Sequence, residues 1–212
     1  MITMRRINIA CWCWNTWRSG FAIFVFLDLS VRLQGGELFS RVGASNYDLT
    51  EEKCKRFTID LIKALNFIHE RQIIHLDLKP QNIMMKNKKD EFNIKLIDFG
   101  LAKRLERGRV RTGFVGTVGF MAPEVANSQY GGHERDFATT ATDLFSLGVI
   151  IYMLVSGGLE PFWDGNDVRA IKNTLRKEVS FAHSEFHGVS EEGKDFIKSK
   201  FILGDTNQCW EI

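Results

Sequence analysis

The run from Leu144 to Val155 reads Leu-Phe-Ser-Leu-Gly-Val-Ile-Ile-Tyr-Met-Leu-Val, and it constrains the fold more than any other stretch of the chain. It is apolar nearly all round a helix, so it has no face to offer water and must be buried on every side. A bilayer span needs about 20 apolar residues, and this run is shorter. It therefore predicts a central helix with other elements wrapped around it. With 44% hydrophobic and 25% charged residues in 212, the chain has an ordinary globular composition and enough apolar material for one good core or two small ones. Its 28 Lys plus Arg against 26 Asp plus Glu is too even to imply nucleic acid or an acidic membrane as a default partner.

Other elements follow from spacing. Thr50 with Glu51 and Glu52 marks a helix start, and Phe57, Leu61, Leu65 and Ile68 recur at helical intervals until the pattern ends near Arg71. Short apolar runs at Ile73-Ile74, Ile83 to Met85 and Ile94 to Ile97, split by a Lys-rich turn at Lys86 to Asp90, predict small strands joined by loops. Phe21 to Leu29 reads as a buried strand leading to a turn at Gly35-Gly36. Val168, Ile171 and Leu175 suggest one further helix, and a last amphipathic helix is expected after Ser190. Asp164-Gly165-Asn166-Asp167 lacks the alternating oxygen ligands of a calcium loop and reads as a turn and helix cap.

Three zones are expected: an atypical Trp/Cys-rich leader at 1–20, one domain at 21–203, and a short polar tail at 204–212. The cysteines Cys11, Cys13, Cys54 and Cys209 do not form paired metal-ligand dyads, which points to a reduced, cytoplasmic setting. The apolar run Phe21 to Leu27 is badly placed for a secretory signal and too short to cross a membrane.

The densest chemical signal is His75-Leu76-Asp77-Leu78-Lys79-Pro80-Gln81-Asn82, followed by Asp98-Phe99-Gly100 and then Ala122-Pro123-Glu124. Each group alone is an ordinary loop motif. Their order and mutual spacing resemble the eukaryotic protein kinases. The resemblance implies an α+β, mainly α fold: the larger helical lobe of a protein kinase with a remnant of the smaller lobe's sheet. Gly35-Gly36-Glu37-Leu38-Phe39, the Leu at 76 and Asp143-Leu144-Phe145-Ser146-Leu147-Gly148-Val149 are most similar to the myosin light-chain kinase and death-associated kinase group.

What the resemblance implies is transfer of the ATP γ-phosphate to protein Ser or Thr with Mg2+, a reaction catalysed by positioning and electrostatics. Asp77 would orient the substrate hydroxyl and accept its proton, and Lys79 would reach the γ-phosphate. Asn82 and Asp98 would hold magnesium through hard oxygens. Leu33 backbone and Glu37 would meet adenine and ribose, with Met84 and Ile97 forming the floor of the nucleotide pocket; Met84 reads equally well as ordinary core. Thr117 with Lys79 fits a Ser/Thr pattern. His75 and Phe99 resemble members of the hydrophobic column that aligns the site, and Asp143 resembles the carboxylate that braces the catalytic loop. Most relatives carry Arg where Leu76 stands, paired to a phosphorylated activation loop, and leucine cannot make that bond. Loop phosphorylation, at Thr112 for example, is therefore not expected to be the switch.

The chain contains no Gly-x-Gly-x-x-Gly and no Val-Ala-x-Lys, so on its own it is expected to be weak or inactive. The arginine that pairs with the glutamate of Ala-Pro-Glu is also not found after Asp205, which predicts an unpaired Glu124. Extra residues around Tyr130 to Phe137 suggest an exposed loop. The alternative is a non-catalytic, kinase-like binding module. Expected partners are a protein substrate and calmodulin, the latter through a region outside this chain, with no nucleic acid and no membrane.

Overall fold

The computed structural model describes residues 35–87, 92–130 and 137–202. The expected strand at Phe21 to Leu29, Leu33, the leader and the tail lie outside the described residues, as do 131–136 of the expected loop.

Six α-helices are found among the described residues, packed around a main core and a smaller second cluster: α1 Leu38–Val42, α2 Glu51–His69, α3 Pro123–Ala126, α4 Thr140–Val155, α5 Asp167–Arg176 and α6 Glu191–Ile202. Between them run β1 Ile73–Ile74, β2 Ile83–Met85, β3 Ile94–Leu96, β4 Lys103–Arg104, β5 Val110–Arg111 and β6 Phe137–Ala138. The strands pair antiparallel in two-stranded units, β1 with β4, β2 with β3 and β5 with β6.

The apolar run is the centre of the fold. Every residue of α4 from Thr142 to Leu154 is buried. The helix starts at Thr139, whose hydroxyl accepts from the Ala141 N–H while the Thr142 hydroxyl accepts from the Thr139 N–H, so side chains satisfy donors the helix leaves open. Helix α6 lies so close to α4 that a Cβ on Gly148 would sit 2.8 Å from Lys200 Cβ and 3.0 Å from the Phe201 ring. Phe145, Phe162 and Phe201 gather there with ring centroids 5.2 to 5.4 Å apart. Each such buried aromatic contributes about 1.5–3 kcal/mol by leaving water.

Helix α2 packs on α4 through Phe57, Leu61, Leu65 and Ile68, the expected stripe, all buried. Its last turn ends at His69 rather than Arg71. Thr50 caps its start by accepting from the Lys53 N–H. Helix α5 forms where Val168, Ile171 and Leu175 pointed, but its buried positions are Ala170, Ile171 and Thr174, while Val168 and Leu175 are exposed. The periodicity located the helix and misplaced its inner face by about one position, because small Ala170 and Thr174 allow close approach. The Asn166 carboxamide caps this helix, accepting from the Val168 and Arg169 N–H groups.

Candidate active site

The loop from His75 to Asn82, expected to be catalytic, hangs from α4 and α2. Asp143, in the first turn of α4, is 1% exposed and points at the backbone of residues 75 and 76. Its Oδ2 accepts from the His75 N–H at 2.8 Å and its Oδ1 from the Leu76 N–H at 3.0 Å. His69, closing α2, donates from Nε2 to Oδ2 at 2.8 Å. Burial alone pushes the Asp143 carboxyl upward, but the His69 hydrogen bond, attraction to the imidazoles of His69 and His75, and the His75 N–H outweigh it and hold the carboxyl below the ordinary aspartate range. Three donors from two elements thus fix the start of the loop.

His69 was not singled out from the sequence. The signal was present, since His69 follows Leu65 by four residues and so continues the apolar stripe of α2. What the spacing could not reveal was the buried carboxylate that a polar group on this face would meet.

Leu76 has a left-handed backbone, φ 66°, and is buried. Its side chain lies in a second cluster with Ile74, Leu105, Met121, Val125 and Ile171, so the segment after Asp98 is tied to the catalytic loop by apolar packing. Gly116 comes so close to this loop that a Cβ there would stand 2.6 Å from the Leu76 carbonyl oxygen. That approach, with φ 103°, requires glycine.

Asp77, Lys79 and Thr117 meet beyond this anchor. The Thr117 hydroxyl donates to Asp77 Oδ1 at 2.6 Å, and Lys79 Nζ lies 2.8 Å from Asp77 Oδ2 and donates to Thr117 Oγ1 at 2.9 Å. Asp77 is 8% exposed, so its carboxylate is aimed by these partners and not free to turn in solvent. Asn82 donates from Nδ2 to the Asp77 carbonyl at 2.8 Å and, more weakly, to Oδ2 at 3.4 Å.

Strands β2 and β3 bring the second carboxylate to this point. Their register pairs Ile83 with Leu96, and one step further the Ile97 N–H donates to the Asn82 carbonyl at 3.0 Å. Asp98 follows directly, in a left-handed conformation (φ 59°), with Oδ1 accepting from the Gly100 N–H at 3.2 Å. Asn82 Nδ2 is committed to Asp77, so its amide oxygen is the atom left to act as a ligand, and the Asp98 carboxylate is exposed. Two hard oxygen donors on adjacent strand ends fit a magnesium ion.

His75 and Phe99 are also brought together, with ring centroids 4.8 Å apart. His75 Nε2 donates to the Ile97 carbonyl at 3.1 Å, and its Nδ1 accepts from the Asp77 N–H at 3.4 Å. This imidazole therefore joins the two loops.

Of the residues expected at the nucleotide pocket, Glu37, Met84 and Ile97 are described. Glu37 is exposed, forms an antiparallel bridge with Met84 and accepts from the Ser40 hydroxyl at 3.3 Å. Met84 on β2 and Ile97, the residue after β3, are half-buried. Gly35-Gly36 forms the expected turn and lies against β2, where a Cβ on Gly35 would collide with Met85.

One expectation is corrected. Glu124 is not unpaired: the Thr142 hydroxyl, on the first turn of α4, donates to its Oε1 at 2.7 Å. Glu124 is half-buried in that position. Among the described residues no His/Cys/Asp/Glu cluster forms a further metal site, no helix is long and apolar enough to cross a membrane, and Cys54 is a buried free thiol pushed up to about 11, chiefly by burial.

Comparison with known proteins agrees with this geometry. The family model described as protein kinase domain matches residues 12–206. Myosin light chain kinase 3 of Danio rerio is 42% identical over 171 residues, covering 80% of this chain and 22% of that protein. Myosin light chain kinase family member 4 of Mus musculus is 40% identical over 185 residues, covering 87% of this chain and 45% of that protein. Among solved structures, the twitchin kinase region from C. elegans superimposes with a TM-score of 0.68 at 38% identity, covering 79% of this chain and 28% of that one. The chain spans 8 to 45% of the length of the curated relatives it matches. It belongs to the protein kinase domain family, and its relatives are myosin light chain kinases.

Proposed function

We propose that this chain carries the phosphoryl-transfer machinery of a Ser/Thr protein kinase, using Mg-ATP and a protein substrate. The observation that supports this best is the Asp77–Lys79–Thr117 triangle, in which a buried carboxylate is held by a cation and a hydroxyl at the mouth of a loop.

Asp77 would orient the substrate hydroxyl and take its proton as the hydroxyl oxygen bonds to the γ-phosphorus and the bond from that phosphorus to the β–γ bridging oxygen breaks, releasing ADP. Lys79, now on Asp77, would offset the charge on the oxygens of the transferring phosphoryl group. Thr117 sets the direction of Asp77. Asn82 Oδ1 and Asp98 would hold magnesium, which supplies positive charge to the phosphate oxygens. Glu37, Met84 and Ile97, with the backbone of Leu33, would line the nucleotide site. His75, Phe99 and Asp143 keep the two loops in register. The match of the Thr117 side chain to Lys79 favours Ser and Thr over Tyr as acceptor.

The test is γ-phosphate transfer from ATP to a mixed Ser/Thr peptide library, together with thermal shift in Mg-ATP. A ligand that binds only the folded state raises the melting temperature. We expect slow transfer, because no glycine-rich loop or strand lysine is encoded in the chain, abolished by Asp77→Asn with the thermal shift retained. Asp98→Asn should remove the magnesium dependence of the shift. Neither an Mg-ATP shift nor Asp77-dependent transfer would leave the non-catalytic binding module as the reading. Regulation by calmodulin is assigned to a segment outside this chain, so capture of these residues on Ca2+-calmodulin would overturn that placement.

A further inference from the structure

Two loops meet beside the Asp77 site, and both hang from α4. In the first, from Thr117 to Met121, the Phe120 and Met121 N–H groups donate to the Thr117 carbonyl at 3.1 and 3.2 Å, and Gly119 turns with φ 92°. The Ser146 hydroxyl of α4 ties this turn down, donating to the Phe120 carbonyl at 2.7 Å. The second loop leaves α4 after Val155. Its Leu159 N–H donates to the Ser156 hydroxyl at 3.1 Å. Phe162 is fully buried and stacks on Phe145, and its carbonyl accepts from Asn173 Nδ2 at 3.2 Å.

Glu160 lies between Leu159 and Phe162, so its backbone is held on both sides. Its carboxylate reaches the first loop: a Cβ on Gly119 would lie 3.6 Å from Glu160 Oε2. Gly119 follows Thr117 by two residues, at most about 7 Å of chain, and the Thr117 hydroxyl is on Asp77 Oδ1. Glu160 is open to solvent, and no hydrogen bond or ion pair joins it among the described residues. Desolvation by the surrounding chain holds its carboxyl above the ordinary glutamate range. A carboxylate partly stripped of water and left without a partner costs stability, so packing does not explain it.

We propose that the Glu160 carboxylate binds one Arg or Lys side chain of the protein substrate close to its acceptor residue, a reading that rests on the phosphoryl-transfer function above. In an extended peptide, residues two to four positions from the acceptor lie about 7–13 Å from it, far enough to pass from Asp77 over Thr117 to Glu160. An arginine fork can grip the carboxylate through two hydrogen bonds, so it should bind better than lysine. A divalent cation is a poor occupant, since no group of acids around Glu160 forms a metal site among the described residues. The frame is rigid, because the turn at Gly119 and the loop at Glu160 are fixed to the same helix.

The experiment walks a single Arg through the four positions on either side of the Ser in a fluorescein-labelled peptide with Gln elsewhere, and reads affinity for the full chain by anisotropy. One position, or two adjacent ones, should bind about fivefold more tightly than the all-Gln peptide, as one partly exposed ion pair allows, and less so as salt rises. Glu160→Gln should abolish that preference without lowering the melting temperature. Glu160→Lys should transfer it to the peptide with Glu at the same position, a swap that a merely structural role would not produce. Glu192→Gln, which removes an exposed acid on α6, should leave the preference intact. The absence of any preferred position, a preference that survives Glu160→Gln, or one lost equally in Glu192→Gln overturns the proposal. Glu160-dependent binding without Asp77-dependent transfer sinks the kinase reading and leaves the cation site intact, whereas Asp77-dependent transfer indifferent to Arg position and to Glu160 does the reverse.

Discussion

Replacing Asp143 by alanine should unhook the catalytic loop from the core. The carboxylate accepts from the N–H groups of His75 and Leu76 and from His69 Nε2, and all of these lie in buried surroundings. Each buried donor left without an acceptor costs about 1–3 kcal/mol. Three such donors lose their acceptor at once, so we adopt about 3–5 kcal/mol for Asp143→Ala, the low end of their sum. For a chain of this size 1 kcal/mol corresponds to about 2–4 °C, so the melting temperature should fall by roughly 6–20 °C. Asp143→Asn should lose less, since its oxygen can still serve the two donors at Oδ2 while its amide nitrogen faces the Leu76 N–H. The pH dependence gives a second reading. The folded carboxyl lies below the ordinary aspartate range, so the unfolded chain takes up the proton at higher pH than the folded one. The stabilisation is therefore fully present above about pH 4 and is lost as the pH falls through the folded value. Urea midpoints measured from pH 6 to 3 should drop more steeply for the wild type than for Asp143→Asn. A melting temperature within about 3 °C of wild type for Asp143→Ala would refute the brace.

The Thr112 hydroxyl is buried with no hydrogen-bond partner among the described residues, so Thr112→Val should raise stability by about 1 kcal/mol in urea melts, and Thr112→Glu should lower it without raising transfer. A large activation by Thr112→Glu would contradict the apolar tie through Leu76. Gly148→Ala must push Lys200 and Phe201 away from α4 and should cost about 1–3 kcal/mol, whereas Gly188→Ala, which meets open space, should be near neutral. Gly116→Ala puts a methyl against the Leu76 carbonyl, so it should displace Thr117 and reduce transfer more than it reduces the melting temperature.

The sequence by itself determined the central helix, because a run apolar on all sides has only one place to go, and it pointed to the family through the order and spacing of its loop motifs at residues 75–82, 98–100 and 122–124. It also located α2, α5 and α6 and the three short strands on either side of the catalytic loop. Only the tertiary structure decided which face of α5 is inside, since that depends on how small residues let a neighbour approach and not on period. Only packing could reveal His69 as the third donor to Asp143 and Thr142 as the partner of Glu124, because residues 74 and 18 positions apart meet through the fold and not through spacing. The same holds for Leu76: the residue type excluded a charge-assisted bond, but its burial with Met121 and Val125 shows what replaces it. Local pattern fixes what a segment is, and long-range contact fixes what each side chain there has to do.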